Sequence, residues 1–205
     1  MKVLVIGSKG NMGRRYMAIL KHLGIECEGF DTDVSVHIGG ESYKLKWMLP
    51  DTTYDRAIIA CPTEHHLEYC TRLEVPMLCE KPISTNSEAI KQLSGDISMV
   101  NNWAFLLPKV LKPESCSIVY NFYNTGNEGK WDLIQPLYLS NGNFEIKRDS
   151  PVFRLTINSY MINMEMVQAS YVKMVENWLE DKNMWNLSMA YDAHKKVERY
   201  NGKKI

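Results

Sequence analysis

Short apolar runs alternate with amphipathic stretches along roughly the first hundred residues. The apolar runs are Lys2 to Ile6, Ile25 to Phe30, Arg56 to Cys61 and Val75 to Cys79. Between the first two runs, one helical face carries Met12, Tyr16, Ile19, Leu20 and Leu23. Gly24 follows at the position that a helix-ending glycine prefers, and Glu64 to Leu73 is a second helical stretch. This alternation predicts a parallel sheet with crossover helices.

The pattern changes after residue 100. Pro108, Pro113 and Pro136 interrupt the chain, and helical periodicity is absent for about fifty residues. The strand candidates in this half are Ser115 to Tyr123, Phe144 to Ile146 and Phe153 to Ile157. Two helices follow, one with an apolar stripe from Met164 to Trp178 and one from about Asn186 to Tyr200. We therefore predict an α/β domain at residues 1–100 and a smaller α+β domain at residues 101–205.

The composition excludes several classes of partner. The chain has 205 residues, 45% hydrophobic and 23% charged, and its 24 Lys and Arg are balanced by 24 Asp and Glu. A zero net charge argues against a nucleic-acid binder. No apolar run approaches the ~20 residues of a membrane span, and the first run is too short for a signal peptide. Five cysteines without a Cys-x-x-Cys pair predict free thiols in a reducing cytoplasm and no metal site.

A glycine-rich turn follows the first predicted strand. Gly7, Gly10 and Gly13 have the spacing G-x-x-G-x-x-G, one residue longer than the usual dinucleotide fingerprint. The first glycine lets the chain turn, the second admits a pyrophosphate to backbone N–H groups, and the third lets the helix pack closely. We predict a Rossmann fold, a doubly wound parallel sheet, although a tight turn without a ligand is the alternative. The cofactor contacts expected in this turn are Gly7, Ser8, Lys9, Gly10, Asn11, Met12 and Gly13.

Asp31 ends the second predicted strand, 18 residues after Gly13. An acidic residue there can accept hydrogen bonds from the 2′- and 3′-hydroxyls of a ribose. A 2′-phosphate would meet Asp31 and the nearby Asp33 without an adjacent arginine, and like charges repel. The sequence therefore favours NAD over NADP, unless Asp31 is simply a solvated carboxylate at a strand end.

Two further segments complete a family pattern. One is Asp55 to His66, which contains Cys-Pro-Thr-Glu-His-His, and the other is Val75 to Ser84, which contains Glu-Lys-Pro. With the glycine-rich turn, they resemble the Gfo/Idh/MocA oxidoreductases. In that family one strand ends in a small residue, Pro and Asn or Thr before a His, and the next strand ends in Glu-Lys-Pro. The resemblance covers residues 1 to about 95 and implies a hydride-transfer enzyme.

The resemblance also implies roles for residues at these strand ends. Lys81 would lie beside the nicotinamide and the reacting hydroxyl, where its ammonium can stabilise the charge of a deprotonating alcohol. Glu80 would fix the strand end, and His66 would lie near the cofactor. A surface lysine and a solvated histidine are the alternatives, and His65 is as well placed as His66. The implied cofactor contacts are Cys61, Pro62, Thr63, His66, Glu80 and Lys81.

The sequence departs from the family in its second half. Asp132 can fill the Asp of the family's Asp-x-Gly-x-His segment, but the His position falls on Pro136, which cannot transfer a proton. His194 lies on the apolar stripe of the last helix and is expected to be a core residue. Lys81 and Asp132 are therefore the predicted catalytic pair. The family's second domain is larger, so we expect a shortened one here, completed by a two-fold homodimer.

Three functions are consistent with these residues. The first is an NAD-dependent oxidoreductase acting on a sugar, a nucleotide sugar or a polyol-like alcohol. The second is a catalytically degenerate NAD-binding sensor or scaffold of the same fold. The third is a reductase of a non-sugar double bond, which needs less base chemistry.

Overall fold

The computed structural model describes residues 1–31, 34–38, 41–45, 53–106, 118–120, 131, 134–139, 155–157, 160–182 and 184–199. Ten strands and seven α-helices lie within these ranges. The strands are β1 (Lys2–Ile6), β2 (Glu26–Phe30), β3 (Val34–Ile38), β4 (Glu41–Leu45), β5 (Arg56–Ile59), β6 (Met77–Cys79), β7 (Ile97–Met99), β8 (Ile118–Tyr120), β9 (Leu155–Ile157) and β10 (Tyr160–Ile162). The helices are α1 (Asn11–His22), α2 (His66–Arg72), α3 (Ser87–Ile90), α4 (Trp103–Leu106), α5 (Ile134–Leu139), α6 (Met164–Leu179) and α7 (Leu187–Arg199).

The main sheet has five parallel strands in the order β2-β1-β5-β6-β7. The strand order reverses direction at β1, whose neighbours are β2 on one side and β5 on the other. An antiparallel hairpin, β3-β4, lies between β2 and β5 in the chain, and a separate antiparallel sheet has the order β10-β9-β8. The parallel α/β fold predicted from the alternating pattern is confirmed.

Helices cover both faces of the parallel sheet. On one face, α1 and α6 pack over the side chains of Val3, Val5, Ile58 and Leu78. On the other face, residues of α2, α3, α5 and α7 pack over Leu4, Ile6, Ala57, Ile59, Met77 and Cys79. Each core thus combines residues from before and after residue 100. The closing helices α6 and α7 are part of the layers that cover the sheet, while the division at residue 100 stays a prediction.

The end of α1 follows its sequence. Gly24 adopts φ +70° and donates its N–H to the Lys21 carbonyl, while Ile25 donates to the Leu20 carbonyl. These two bonds form the Schellman motif, which satisfies carbonyl groups at a helix end. The predicted role of Gly24 is confirmed.

Several short elements were not predicted. The strand β7 and the helices α4 and α5 have three to six residues, too few to show a period. Thr85 and Glu88 have the spacing of a capping box, but the N-cap of α3 is Asn86, whose Oδ1 accepts the Glu88 N–H at 3.0 Å. Phe144 to Ile146 lies outside the described residues. Every described helix falls short of the length and apolar character that crossing a bilayer requires.

Candidate functional site

The register of the sheet brings the sequence motifs to one edge. The last residues of the five strands form a row across the sheet: Phe30, Ile6, Ile59, Cys79 and Met99. The residues that follow them lie along the carboxyl edge in the same order: Asp31, Gly7, Ala60, Glu80 and Val100. In open parallel sheets, ligands bind outside this edge, where the strand order reverses. Here that crevice lies between the turns after β1 and β5.

The glycine-rich turn is closely packed against the turn after β5. Gly7 has φ +78°, and a Cβ on it would lie 2.6 Å from the Cys61 nitrogen. A Cβ on Gly13 would overlap the Gly7 carbonyl oxygen. Side chains at either position would therefore displace backbone rather than flexible atoms. These two glycines are required by the geometry, as the spacing predicted.

The amino end of α1 is open to an anion. Gly10 is the N-cap, contributes no side-chain cap, and is exposed. The first helical turn holds no acidic residue, and its residues are Asn11, Met12 and Gly13. Backbone N–H groups at a helix start favour negative charge because the helix dipole points its positive end there. The glycine cradle, as we call the turn from Gly7 to Gly13, therefore fits the pyrophosphate of a dinucleotide.

Asp31 lies beside this cradle. Its Oδ2 accepts the backbone N–H of Lys9 at 2.9 Å. The Phe30 carbonyl accepts the N–H of Gly7 at 2.8 Å and that of Ser8 at 3.2 Å. The end of β2 and the Asp31 carboxylate are thus tied to the glycine-rich turn.

His66 joins the turns after β5 and β6. It is buried, and its ring nitrogens lie 2.8 Å from the Pro82 carbonyl and 2.8 Å from the Cys61 carbonyl. The neighbouring His65 is exposed. The structure therefore separates two histidines that the sequence left equivalent, and the burial of His66 excludes the alternative of a solvated side chain. Pro62 and Thr63 begin the short 3₁₀ turn that leads to His66.

Glu80 and Lys81 follow β6 at the same edge. Glu80 is 7% exposed, and its Oε1 accepts the Tyr16 hydroxyl at 2.6 Å. Its Oε2 accepts the backbone N–H of Lys81 at 3.1 Å. Lys81 is half-buried, and its peptide bond to Pro82 is cis. Glu80 thus fixes the strand end by contacts on both carboxylate oxygens.

The cysteines near this edge are neutral thiols. Burial raises the pKa of Cys61 to about 12 and raises that of Cys79 well above its ordinary value. The described cysteines, Cys27, Cys61, Cys70 and Cys79, are all free. No group of three or more His, Cys, Asp or Glu side chains in the described ranges could hold a metal ion.

The second predicted catalytic residue, Asp132, lies outside the described residues. Its neighbour Trp131 is buried, and Pro136 is part of α5. Gln135 is fully buried, accepts the Trp103 N–H at 2.8 Å and donates to the Asn102 Oδ1 at 3.1 Å. Both polar atoms of Gln135 therefore connect α5 to the segment after β7.

His194 is a core residue, as its place in the apolar stripe predicts. It is 0% exposed, packs against Trp131 with ring centroids 5.4 Å apart, and donates from Nδ1 to the Ala190 carbonyl at 2.6 Å. Its Nε2 is buried and has no hydrogen-bond partner among the described residues. Burial lowers the pKa of His194 to about 4, so the ring is neutral near pH 7.

This burial predicts a loss of stability in acid. Between pH 6.5 and 4 the unfolded chain binds a proton at His194 that the folded chain does not, so stability falls as pH falls. The unfolding free energy of the wild type, relative to that of His194→Leu, should drop by about 3 kcal/mol between pH 7 and pH 4. Urea unfolding at a series of pH values measures it. The control His22→Met, at an exposed position, should lose as much stability in acid as the wild type. If His194→Leu also loses as much stability in acid as the wild type, His194 is not the cause of that loss.

The solved structures that superpose on this chain include several dehydrogenases. The sequence matches no protein-family model and no curated protein. A Gfo/Idh/MocA family oxidoreductase from Vibrio cholerae superposes with a TM-score of 0.65 at 11% identity, covering 97% of this chain and 96% of that one. The WlbA (WbpB) dehydrogenase from Thermus thermophilus, in complex with NAD and UDP-GlcNAcA, superposes with a TM-score of 0.62 at 12% identity. The superposition covers 96% of this chain and 93% of that one. The chain has the fold of these dehydrogenases. A myo-inositol dehydrogenase from Lactobacillus casei, in complex with NAD(H) and myo-inositol, superposes with a TM-score of 0.56 at 11% identity. The superposition covers 98% of this chain and 93% of that one.

Two residues of this edge were missed by the sequence analysis. Tyr16 is one of the five apolar positions that predict the first helix, and it belongs to no motif. Gly29, inside β2, has no room for a side chain, because a Cβ would lie 2.6 Å from the Ser8 Oγ. A glycine within a strand often marks such a close approach, so Gly29 could have been found from its position.

Proposed function

We propose that this chain is an NAD-dependent oxidoreductase that acts on a hydroxyl group of a sugar, a nucleotide sugar or a polyol-like alcohol. One observation carries the proposal: the glycine-rich turn at the strand-order reversal and the Glu80-Lys81 strand end lie at the same edge of the sheet, with only the end of β5 between them. A cofactor bound in the cradle and a substrate held near Lys81 would meet at the same edge of the sheet.

Different residues of the chain would bind the cofactor, bind the substrate and hold the loops of the site. The N–H groups at the start of α1 would bind the pyrophosphate, and Asp31 would accept hydrogen bonds from the ribose hydroxyls. NAD held by these residues would supply the hydride acceptor for the reaction. The Lys81 ammonium would bind the substrate oxygen and stabilise its developing negative charge, while the carboxylate of Asp132, its proposed partner, would accept the proton that leaves the hydroxyl group. His66, through its two carbonyl contacts, would hold the loops that flank the nicotinamide.

Two measurements test this proposal. NADH should bind the wild-type chain saturably with micromolar affinity, measured by the change in NADH fluorescence. NAD should then be reduced in the presence of at least one member of a panel of UDP-sugars, free sugars and inositols. If the folded chain leaves the NADH fluorescence unchanged at chain and NADH concentrations well above the micromolar range, the proposal is contradicted.

Asp31 should set the choice of cofactor. The wild type should bind NADH about tenfold or more tightly than NADPH, because the carboxylate repels a 2′-phosphate. Asp31→Ser should narrow or invert this ratio. Asp31→Asn is the matched control for the turn, since its amide oxygen can still accept the Lys9 N–H while the charge is lost. Parallel titrations of NADH and NADPH measure the ratio, and equal affinities in the wild type would remove the role of Asp31.

A second candidate is a dinucleotide-binding sensor or scaffold without turnover. It is favoured by the proline at position 136, where the family pattern has a histidine, and by the two polar contacts that occupy Gln135. Saturable NADH binding without reduction of NAD by any member of the substrate panel would favour this candidate over the enzyme.

We further propose that the protein acts as a cytoplasmic homodimer with a small-molecule substrate. The four tryptophans after residue 100 are buried within the chain and cannot form the interface. The proposal therefore rests on Met164 and Met166, two exposed apolar side chains at the start of α6.

A further inference from the structure

A buried hydrogen bond joins the helix of the glycine-rich turn to the strand end that carries Lys81. Tyr16 lies on α1, three residues after Gly13, and is 0% exposed. Its hydroxyl reaches the Glu80 Oε1 at 2.6 Å, across 64 residues of sequence. The ring of Tyr16 packs edge-on against Tyr171 of α6, with centroids 6.2 Å apart. The tyrosine is therefore held in place independently of its hydroxyl.

The direction of this hydrogen bond is fixed by the surroundings. Burial and the negative charge of Glu80 raise the pKa of Tyr16 well above its ordinary value, so the hydroxyl keeps its proton and donates it. A separation of 2.6 Å is within the range of a charge-assisted bond between a hydroxyl and a carboxylate. The Tyr16 hydroxyl therefore holds one oxygen of a buried carboxylate.

The other carboxylate oxygen holds Lys81. The Glu80 Oε2 accepts the Lys81 backbone N–H at 3.1 Å, and the Glu80 N–H donates to the Ile59 carbonyl at 2.8 Å. The carboxylate thus connects α1, which starts at the cofactor cradle, to the backbone of the residue proposed to contact the substrate. Rotation of the Glu80 side chain would break both links at once.

We propose that Tyr16 is a positioning residue, which fixes the Lys81 backbone relative to the dinucleotide cradle through the Glu80 carboxylate. This inference rests on the proposed oxidoreductase function. Tyr16 touches neither cofactor nor substrate in this role. Its hydroxyl sets the geometry between the two halves of the site.

The test replaces the hydroxyl alone. Tyr16→Phe keeps the ring and its packing, so the Kd for NADH should stay within about twofold of the wild type. Turnover should fall about tenfold, since small displacements of a reacting group are costly. The Lys81 amide should exchange with solvent about tenfold faster, because its acceptor is no longer held. In a Glu80→Gln background, which has already lost the carboxylate, the same substitution should reduce turnover much less.

The chain offers a matched control. The Tyr191 hydroxyl also donates to a glutamate, Glu88, at 3.1 Å, but this pair is on the surface between α7 and α3. Tyr191→Phe should leave turnover and Lys81 exchange unchanged. If the Lys81 amide of folded Tyr16→Phe exchanges with solvent at the wild-type rate, the inference is overturned, whether or not a substrate has been found. Absence of NADH binding to the wild type would instead refute the proposed function, so the two failures are distinguishable.

Discussion

Gly13→Ala should reduce NADH affinity by about a hundredfold, the scale expected when binding groups are displaced by roughly an ångström. A Cβ at this position overlaps the Gly7 carbonyl oxygen, so the glycine-rich turn must move away from α1. Over-packing of this kind should also lower the unfolding free energy by about 2–3 kcal/mol. NADH fluorescence titration and urea unfolding measure the two effects.

Gly24→Ala is the control for Gly13→Ala, because it strains the backbone without crowding neighbouring atoms. Gly24 has φ +70°, which is unfavourable for alanine, but apart from its chain neighbours no atom of the described residues lies within 4 Å of its Cβ position. Its substitution should cost about 1–2 kcal/mol of stability and leave NADH affinity unchanged. If Gly13→Ala binds NADH as tightly as Gly24→Ala, the cofactor does not occupy the glycine cradle.

Lys81→Met should reduce turnover by about a hundredfold or more, the usual effect of losing one charge-stabilising or proton-transferring group. The methionine keeps most of the aliphatic stem, and the contacts of Glu80 with Tyr16 and the Lys81 backbone do not involve the ammonium. The Kd for NADH should therefore hardly change. Steady-state rates of NAD reduction with the active member of the substrate panel give the measurement.

Lys91→Met is the control for removing a lysine charge. Lys91 pairs with Glu88 on the surface at 3.1 Å and should leave turnover unchanged when replaced. Wild-type turnover in Lys81→Met would show that the family's lysine role does not carry over to this chain.

The parallel sheet was predictable because its central strands are unbroken apolar runs. Val3 to Ile6 and Ala57 to Ile59 are buried on both faces, which is the condition that makes such runs visible in a sequence. The strand Ile97–Met99 was missed because it has three residues, with a serine in the middle, directly after Ser94-Gly95-Asp96. Such a short strand is visible in a sequence only where it continues an apolar run, as β6 continues the run that begins at Val75.

The candidate site divides in the same way. Gly7 and Gly13 were predictable because each meets a local demand of a strand-turn-helix unit, and the geometry requires both. The role of Asp31 toward a ribose stays a prediction. The partnership of Tyr16 with Glu80 was not predictable, because residues 64 positions apart meet only once the sheet has formed. The choice of Asn86 over Thr85 as an N-cap is similar, since both side chains can cap a helix and only the backbone geometry decides.

A crystal structure of the chain soaked with NAD tests the central claim most directly. The account predicts the pyrophosphate at the start of α1, the adenosine ribose against Asp31 and the nicotinamide beside Glu80-Lys81-Pro82. A different groove, of about 600 Å³, lies at the opposite edge of the sheet and is lined by residues that include Cys70, Pro76 and Asp96. NAD bound in that groove, or a glycine cradle without NAD at saturating concentration, would contradict the account.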